Sequence, residues 1–205
     1  MTARVKSSFS FQAGVYFSNE FLLNVYNIDL DFNVETESIR EQNIALERIK
    51  YFLNYSLQNS IFINENEEDM IQKYLDADLK ICTLPEEPYD QIVGIMLLCK
   101  LNSITEGKLL VTDITITSSM GDGVWCKHCV EENLGPFALS GWWDDPSNKI
   151  SSITKKHKSK KIVKLFKNNV SWDDLCLGWE ETPIITVGPS NEVMFANFDN
   201  KTDKI

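Results

Sequence analysis

The stretch VYNIDLDFNV, Val25 to Val34, decides the fold. In it Tyr26, Ile28, Leu30 and Phe32 alternate with Asn27, Asp29, Asp31 and Asn33. A period of two held over this length marks a strand with one face buried and the other in water. Upstream, FSFQAGVYF (Phe9 to Phe17) reads as a second strand. The polar break Ser18-Asn19-Glu20 can turn one onto the other, so an antiparallel hairpin opens the fold.

Downstream the period changes to that of a helix. Ser38 is placed as an N-cap with Glu41 at the third helical position, the capping-box pattern. Ile44, Ile49, Phe52 and Leu53, with Leu46 and Leu57 nearby, extend an apolar stripe down to Gln58. SIFI then reads as a short strand, Asn66 as the cap of a second helix over EEDMIQKYL, and LKICTL as another strand. After Pro85 and Pro88, YDQIVGIMLLCKLNSI is apolar around most of its circumference and predicts a buried helix, with Gly107 just past its end. KLLVTDITITSS is rich in β-branched residues and reads as a strand. The expected class is α+β, a mixed and largely antiparallel sheet with helices packed on one face.

From Gly121 the texture turns irregular and aromatic. PSNK (Pro146 to Lys149) marks a boundary between a core domain, 1–148, and a lysine-rich extension, 149–205, packed on that core. Within the extension SWDDLCLGW predicts one or two helical turns, PIITVGPSNEVMFANF a hairpin across Gly188 to Asn191, and NKTDKI a frayed tail.

Composition sets outer limits. The chain has 205 residues, 43% hydrophobic and 24% charged, enough to build a core. No apolar run approaches the roughly 18 residues that cross a bilayer, and MTARVKSSFSF has no hydrophobic segment of a signal peptide. A cytosolic location is the expectation. Five cysteines, an odd number without an export signal, point to reduced thiols, with Cys82 and Cys99 as core residues. The net charge of -10 conceals an asymmetry, because eight lysines between Lys149 and Lys167 have no acid among them. An acidic body repels nucleic acid, whereas KKHKSKKIVKLFK attracts it locally or stays solvated.

GDGVWCKHCVEEN, Gly121 to Asn133, gathers Cys126, Cys129 and His128. A C-x-x-C pair supplies half of a zinc site, and the spacing of Cys176 and His157 matches no zinc motif. WCKHC has the form of a thioredoxin-type redox site but lacks the βαβ context that lowers a thiol pKa. Two reduced cysteines near a turn lead these readings. No cofactor is expected, with zinc on Cys126 and Cys129 as the alternative.

Asp29, Asp31 and Asn33 share one strand face, and with Asp113 they form the carboxylate set that a metal-dependent nuclease would use. An EF-hand is excluded, since the sixth loop position is Val34 and the twelfth is Arg40. A solvated sheet face explains the same residues. There is no G-x-S-x-G elbow, Walker loop or dinucleotide fingerprint, and the two histidines are poorly placed as triad bases. Catalysis is therefore not the leading reading.

Surfaces remain. All five tryptophans fall in the C-terminal half, and Trp142 and Trp143 in SGWWDDP are the expected anchors of an interface. Lys155, Lys156, Lys158, Lys160, Lys161 and Lys164 are expected to engage an acidic partner, another copy of the chain included. The blocks PEEPYDQIVGIMLLCKLNSITEGKLLVTDITITSSMGDGVW, WDDLCLGW and VMFANF resemble small uncharacterised proteins of T4-like, especially marine, tailed phages. The resemblance runs from about Asn43 to Phe198 and implies an origin without an activity. The expectation is a non-enzymatic protein that binds other proteins during infection or virion assembly, in the host cytoplasm or the virion. Nucleic-acid binding through residues 155–167 is the rival, and the nuclease is a third reading.

Overall fold

A computed structural model describes residues 4–153 and 170–180. The opening hairpin is long: β1 (Arg4–Phe17) and β2 (Glu20–Val34) pair antiparallel from Arg4↔Asn33 to Phe17↔Glu20. Ser18 (φ 53) and Asn19 (φ 64) form the two-residue turn. Positive φ at both central residues gives a twist that matches the flanking strands.

After the hairpin come α1 (Ile39–Tyr51), a π-helical turn (Phe52–Leu57) and β3 (Ser60–Asn64). α2 (Glu68–Asp76), β4 (Ile81–Leu84), α3 (Asp90–Thr105), β5 (Leu109–Ser118) and β6 (Trp125–Cys129) follow. The six strands make one sheet in the order β4-β3-β1-β2-β5-β6. The β1–β2, β2–β5 and β5–β6 pairs are antiparallel, and β1–β3 and β3–β4 are parallel. This is the mixed, largely antiparallel α+β sheet that the alternating patterns imply.

Ser38 caps α1 by accepting the Glu41 amide. The Glu41 carboxylate bonds the Thr36 hydroxyl and Lys108, and so does not close the capping box on Ser38. The N-cap position of α2 is Glu67, one residue beyond Asn66, and its side chain makes no capping bond; the Asn66 backbone N–H donates to the Asn64 side chain.

α3 is buried almost all round, which its uniformly apolar sequence requires. It lies between α1 and the inner face of the sheet, against β5 and β6, in one core cluster with Ile114 and Ile116 of β5 and Tyr26, Ile28 and Leu30 of β2. Each such side chain contributes roughly 1.5–3 kcal/mol on burial, so this layer dominates stability. A bulge between the Asp31 and Phe32 pairings inserts one residue into β5. It lets Leu109 and Val111 face inward before the bulge and Ile114 and Ile116 after it.

α1 and α3 cover the inner face. α2 lies on the other: Ile71 packs with Tyr16, Ile61, Ile63 and Ile81, whose sequence neighbours Val15, Phe62 and Cys82 point into the main core. Only the β4-β3-β1 half of the outer face is covered by this helix. Cys82 is fully buried, whereas Cys99 is only partly buried at the edge of the core.

Residues 172–176 form turns without a helix, and 170–180 pack on α1. Arg48, buried on the apolar stripe of α1, lies between the Trp172 and Trp179 rings, 5.0 and 3.8 Å from their centroids. It donates to the carbonyls of Leu177 and Ile104 and pairs with Glu106 at 2.6 Å. Arg40 donates to the carbonyls of Trp179 and Glu180. The expected terminal hairpin and tail lie outside the described residues. Among those described, no helix is long and apolar enough to cross a membrane.

Candidate functional site

Among the described residues nothing packs on the outer face of β2, β5, β6 and the Arg4 end of β1, and cross-strand register sets its residues in rows. Ser8, Asp29, Thr115 and Lys127 form one row; Lys6, Asp31, Asp113 and Cys129 form the next. Asp29, Asp31 and Asp113, which strand alternation places together, do share this face. Each already has a partner. Asp31 binds Lys6 at 3.0 Å, Asp113 binds Lys127 at 3.0 Å and Arg4 at 3.2 Å, and Ser8 donates to Asp29 at 2.6 Å. Partial burial raises the Asp113 pKa, but Lys127 and Thr112 outweigh it and hold the carboxyl below its ordinary range. The Lys127 pKa is raised in turn by Asp113. Asp31 and Asp113 are thus ion-paired and Asp29 is held by a hydroxyl, and Arg4, Lys6 and Lys127 stand where a metal would have to bind.

Toward the hairpin turn the face becomes apolar. Phe21, Leu23 and Val25 occupy successive outward positions of β2, and Trp125 of β6 stands beyond Thr117 in the next row. Leu23 is 78% exposed, Trp125 63%, Phe21 48% and Val25 38%. Gly14, across from Leu23, makes room for the Phe21 ring: a Cβ there would lie 2.5 Å from it. Tyr74 of α2 stands beside that ring, so the helix forms one wall of the band.

The two expected aromatic anchors are corrected by their burial. Trp142 and Trp143 are 4% and 6% exposed and belong to the main core. The Trp142 indole donates to the Thr83 carbonyl at 2.8 Å, and that of Trp143 to the Leu139 carbonyl at 3.0 Å. Each indole N–H meets an acceptor, the condition for burying a tryptophan. Lys155, Lys156, Lys158, Lys160, Lys161 and Lys164 lie outside the described residues.

WCKHC is the edge strand β6. Pairing with β5 sets Cys126 beside Ile116 on the inner face and Cys129 beside Asp113 on the outer face. The sheet therefore separates the two sulfurs, and the C-x-x-C spacing does not converge on one ion. Burial, with Asp90 for Cys126 and Glu132 for Cys129, raises both thiol pKa values, the opposite of a redox-active cysteine. No group of three metal-ligating side chains occurs among the described residues. His128 is buried against Gly94 of α3, with Nδ1 3.6 Å from Glu132.

The alternation from Tyr26 to Asn33 does not reveal the apolar band, because the outward positions are polar from Asn27 onward and apolar only upstream, at Phe21, Leu23 and Val25.

No protein-family model and no curated protein matches the chain. Among solved structures, an uncharacterized protein from Wolinella succinogenes aligns with a TM-score of 0.47 at 10% identity, over 64% of this chain and 99% of that one. 6-Pyruvoyl tetrahydropterin synthase from Plasmodium vivax aligns with a TM-score of 0.40 at 10% identity, over 62% and 97%. Neither likeness carries an activity to this chain.

Proposed function

We propose that this protein works by binding another protein through the uncovered half of its sheet, and that the contact is non-enzymatic. One observation carries the reading: Phe21, Leu23, Val25 and Trp125 form an exposed apolar band on an ordered, hydrogen-bonded face. Exposed apolar side chains gathered on one face support an interaction site, and tryptophan is enriched among the residues that carry binding energy. The band takes the role that Trp142 and Trp143 had in the sequence reading. We further propose, on the resemblance to small proteins of tailed phages alone, that the binding event belongs to infection or virion assembly. Nucleic-acid binding through residues 155–167 gains no support from this face, where Arg4, Lys6 and Lys127 are all engaged with carboxylates.

The test is a photo-reactive amino acid at position 23, irradiated in cells that produce the full chain, with position 139 as an exposed control elsewhere. Protein adducts at 23 that are absent at 139 are expected. Equal labelling at both positions, or none at 23, refutes the proposal.

A further inference from the structure

We infer that the occupant of this face is a second copy of the same chain, packed sheet to sheet about a twofold axis near Leu23. The inference rests on the preceding reading that the face binds protein. Two observations select the occupant.

The first is charge. With thirty acids against twenty bases the chain carries a net charge of -10, so two copies repel each other over most of their surfaces. On the outer sheet face that repulsion is balanced, because Arg4, Lys6 and Lys127 match three aspartates in number: Asp31 and Asp113 in ion pairs with them, and Asp29 in the adjoining row, held by the Ser8 hydroxyl. A basic partner would find nothing to attract it there. It would be drawn to the acidic surface around α2, where Glu65, Glu67, Glu68, Asp69, Glu86 and Glu87 cluster in sequence. A neutral, half-apolar face on an acidic protein suits a partner of the same composition.

The second is area. The four exposed side chains offer on the order of 500 Å² per copy, so two copies together bury ~1,000 Å², the threshold of a specific interface. Polar neighbours in the same rows, Asn27 and Thr117, extend the contact. A twofold contact is self-complementary by construction, so one band serves both sides. α2 covers the far half of the face and limits the contact to the β2-β5-β6 side.

The experiment is sedimentation equilibrium of the full chain from about 1 to about 200 micromolar at low and high salt, a range that brackets interfaces of this size. A dimer is expected. Leu23→Asp should weaken it at least ~100-fold and Trp125→Ala about tenfold, while Leu139→Asp leaves it unchanged. Rising salt should hold or tighten the dimer, because screening removes the residual repulsion between acidic copies. Circular dichroism confirms that each variant is folded, and Trp125→Ala decides the matter if Leu23→Asp is not.

A dimer dissolved by salt overturns the inference in favour of contact between the lysine run and an acidic surface. A dimer indifferent to both band substitutions overturns it in favour of another face. A monomer throughout the range overturns the second copy alone: adducts at position 23 to a different protein then leave the binding reading standing, and no adduct ends both.

Discussion

Replacing Lys100 by methionine should make the chain's stability depend on pH differently from the wild type above pH 8. Lys100 is completely buried in α3, and its ammonium donates to the carbonyls of Trp142 (2.8 Å) and Asp145 (2.6 Å). Burial pulls its pKa down from 10.5 to about 8, against the opposing pull of Asp145. Between those values the unfolded chain binds a proton that the folded chain has released, so stability rises with pH across the window and is flat below it. A difference of 10.5 minus 8 at 1.36 kcal/mol per unit is about 3 kcal/mol. At neutral pH methionine removes that burden but leaves two buried carbonyls without a donor, at about 1–3 kcal/mol each, so the stabilities there nearly cancel. The informative quantity is the difference between the two chains in urea unfolding at pH 7.5 and 10.5, followed by tryptophan fluorescence at a concentration where both are monomeric. Wild type should gain about 3 kcal/mol on the variant over this interval. Burial also raises the pKa of Cys99 to about 11 and that of Cys82, which pulls stability the other way, but both chains share these groups. A difference independent of pH would refute the argument that the ammonium is held charged in the core.

Arg48→Ala should cost about 3 kcal/mol in urea unfolding, because it empties the space between two indoles and strands the Leu177 and Ile104 carbonyls; Arg48→Lys should recover little, since an ammonium cannot fill a planar slot. A loss under about 1 kcal/mol would show that residues 170–180 do not depend on this arginine. Gly94→Ala places a Cβ 2.7 Å from the His128 ring and should destabilise by about 1–3 kcal/mol. In a His128→Ala background the same change should cost about 1 kcal/mol less, since only Ile116 Cγ2 at 3.1 Å then crowds the added methyl, and an equal cost in the two backgrounds would disprove the close contact with His128.

The hairpin and α3 were legible because their signals are local. Alternation from Tyr26 to Phe32 names the buried face without knowledge of its partner, and a helix apolar on every side must be central. The placement of α2 is legible too: SIFI and ICTL are apolar at most positions, which requires cover on both sides of the sheet. Arg48 announced itself as a charge four residues after Ile44, inside an apolar stripe. Trp142 was not legible. SGWWDDP has the composition of an exposed turn, and what buries it is an acceptor on Thr83, 59 residues away. The C-x-x-C pair misled for a related reason. Three residues bring two sulfurs together in a loop but set them on opposite faces of a strand, and only pairing with β5 shows which backbone they occupy.

Asn148 donates its side-chain amide to the carbonyl of Val170 at 2.8 Å, so the chain enters and leaves the intervening run at a single point on the core. Joining two points that already lie side by side carries a closure entropy that grows only slowly with the number of residues between them, about 0.6 kcal/mol for each doubling. The seam closed by Asn148 on Val170, and by Arg48 on Leu177, therefore fixes where the two described parts of the chain meet without fixing how many residues join them.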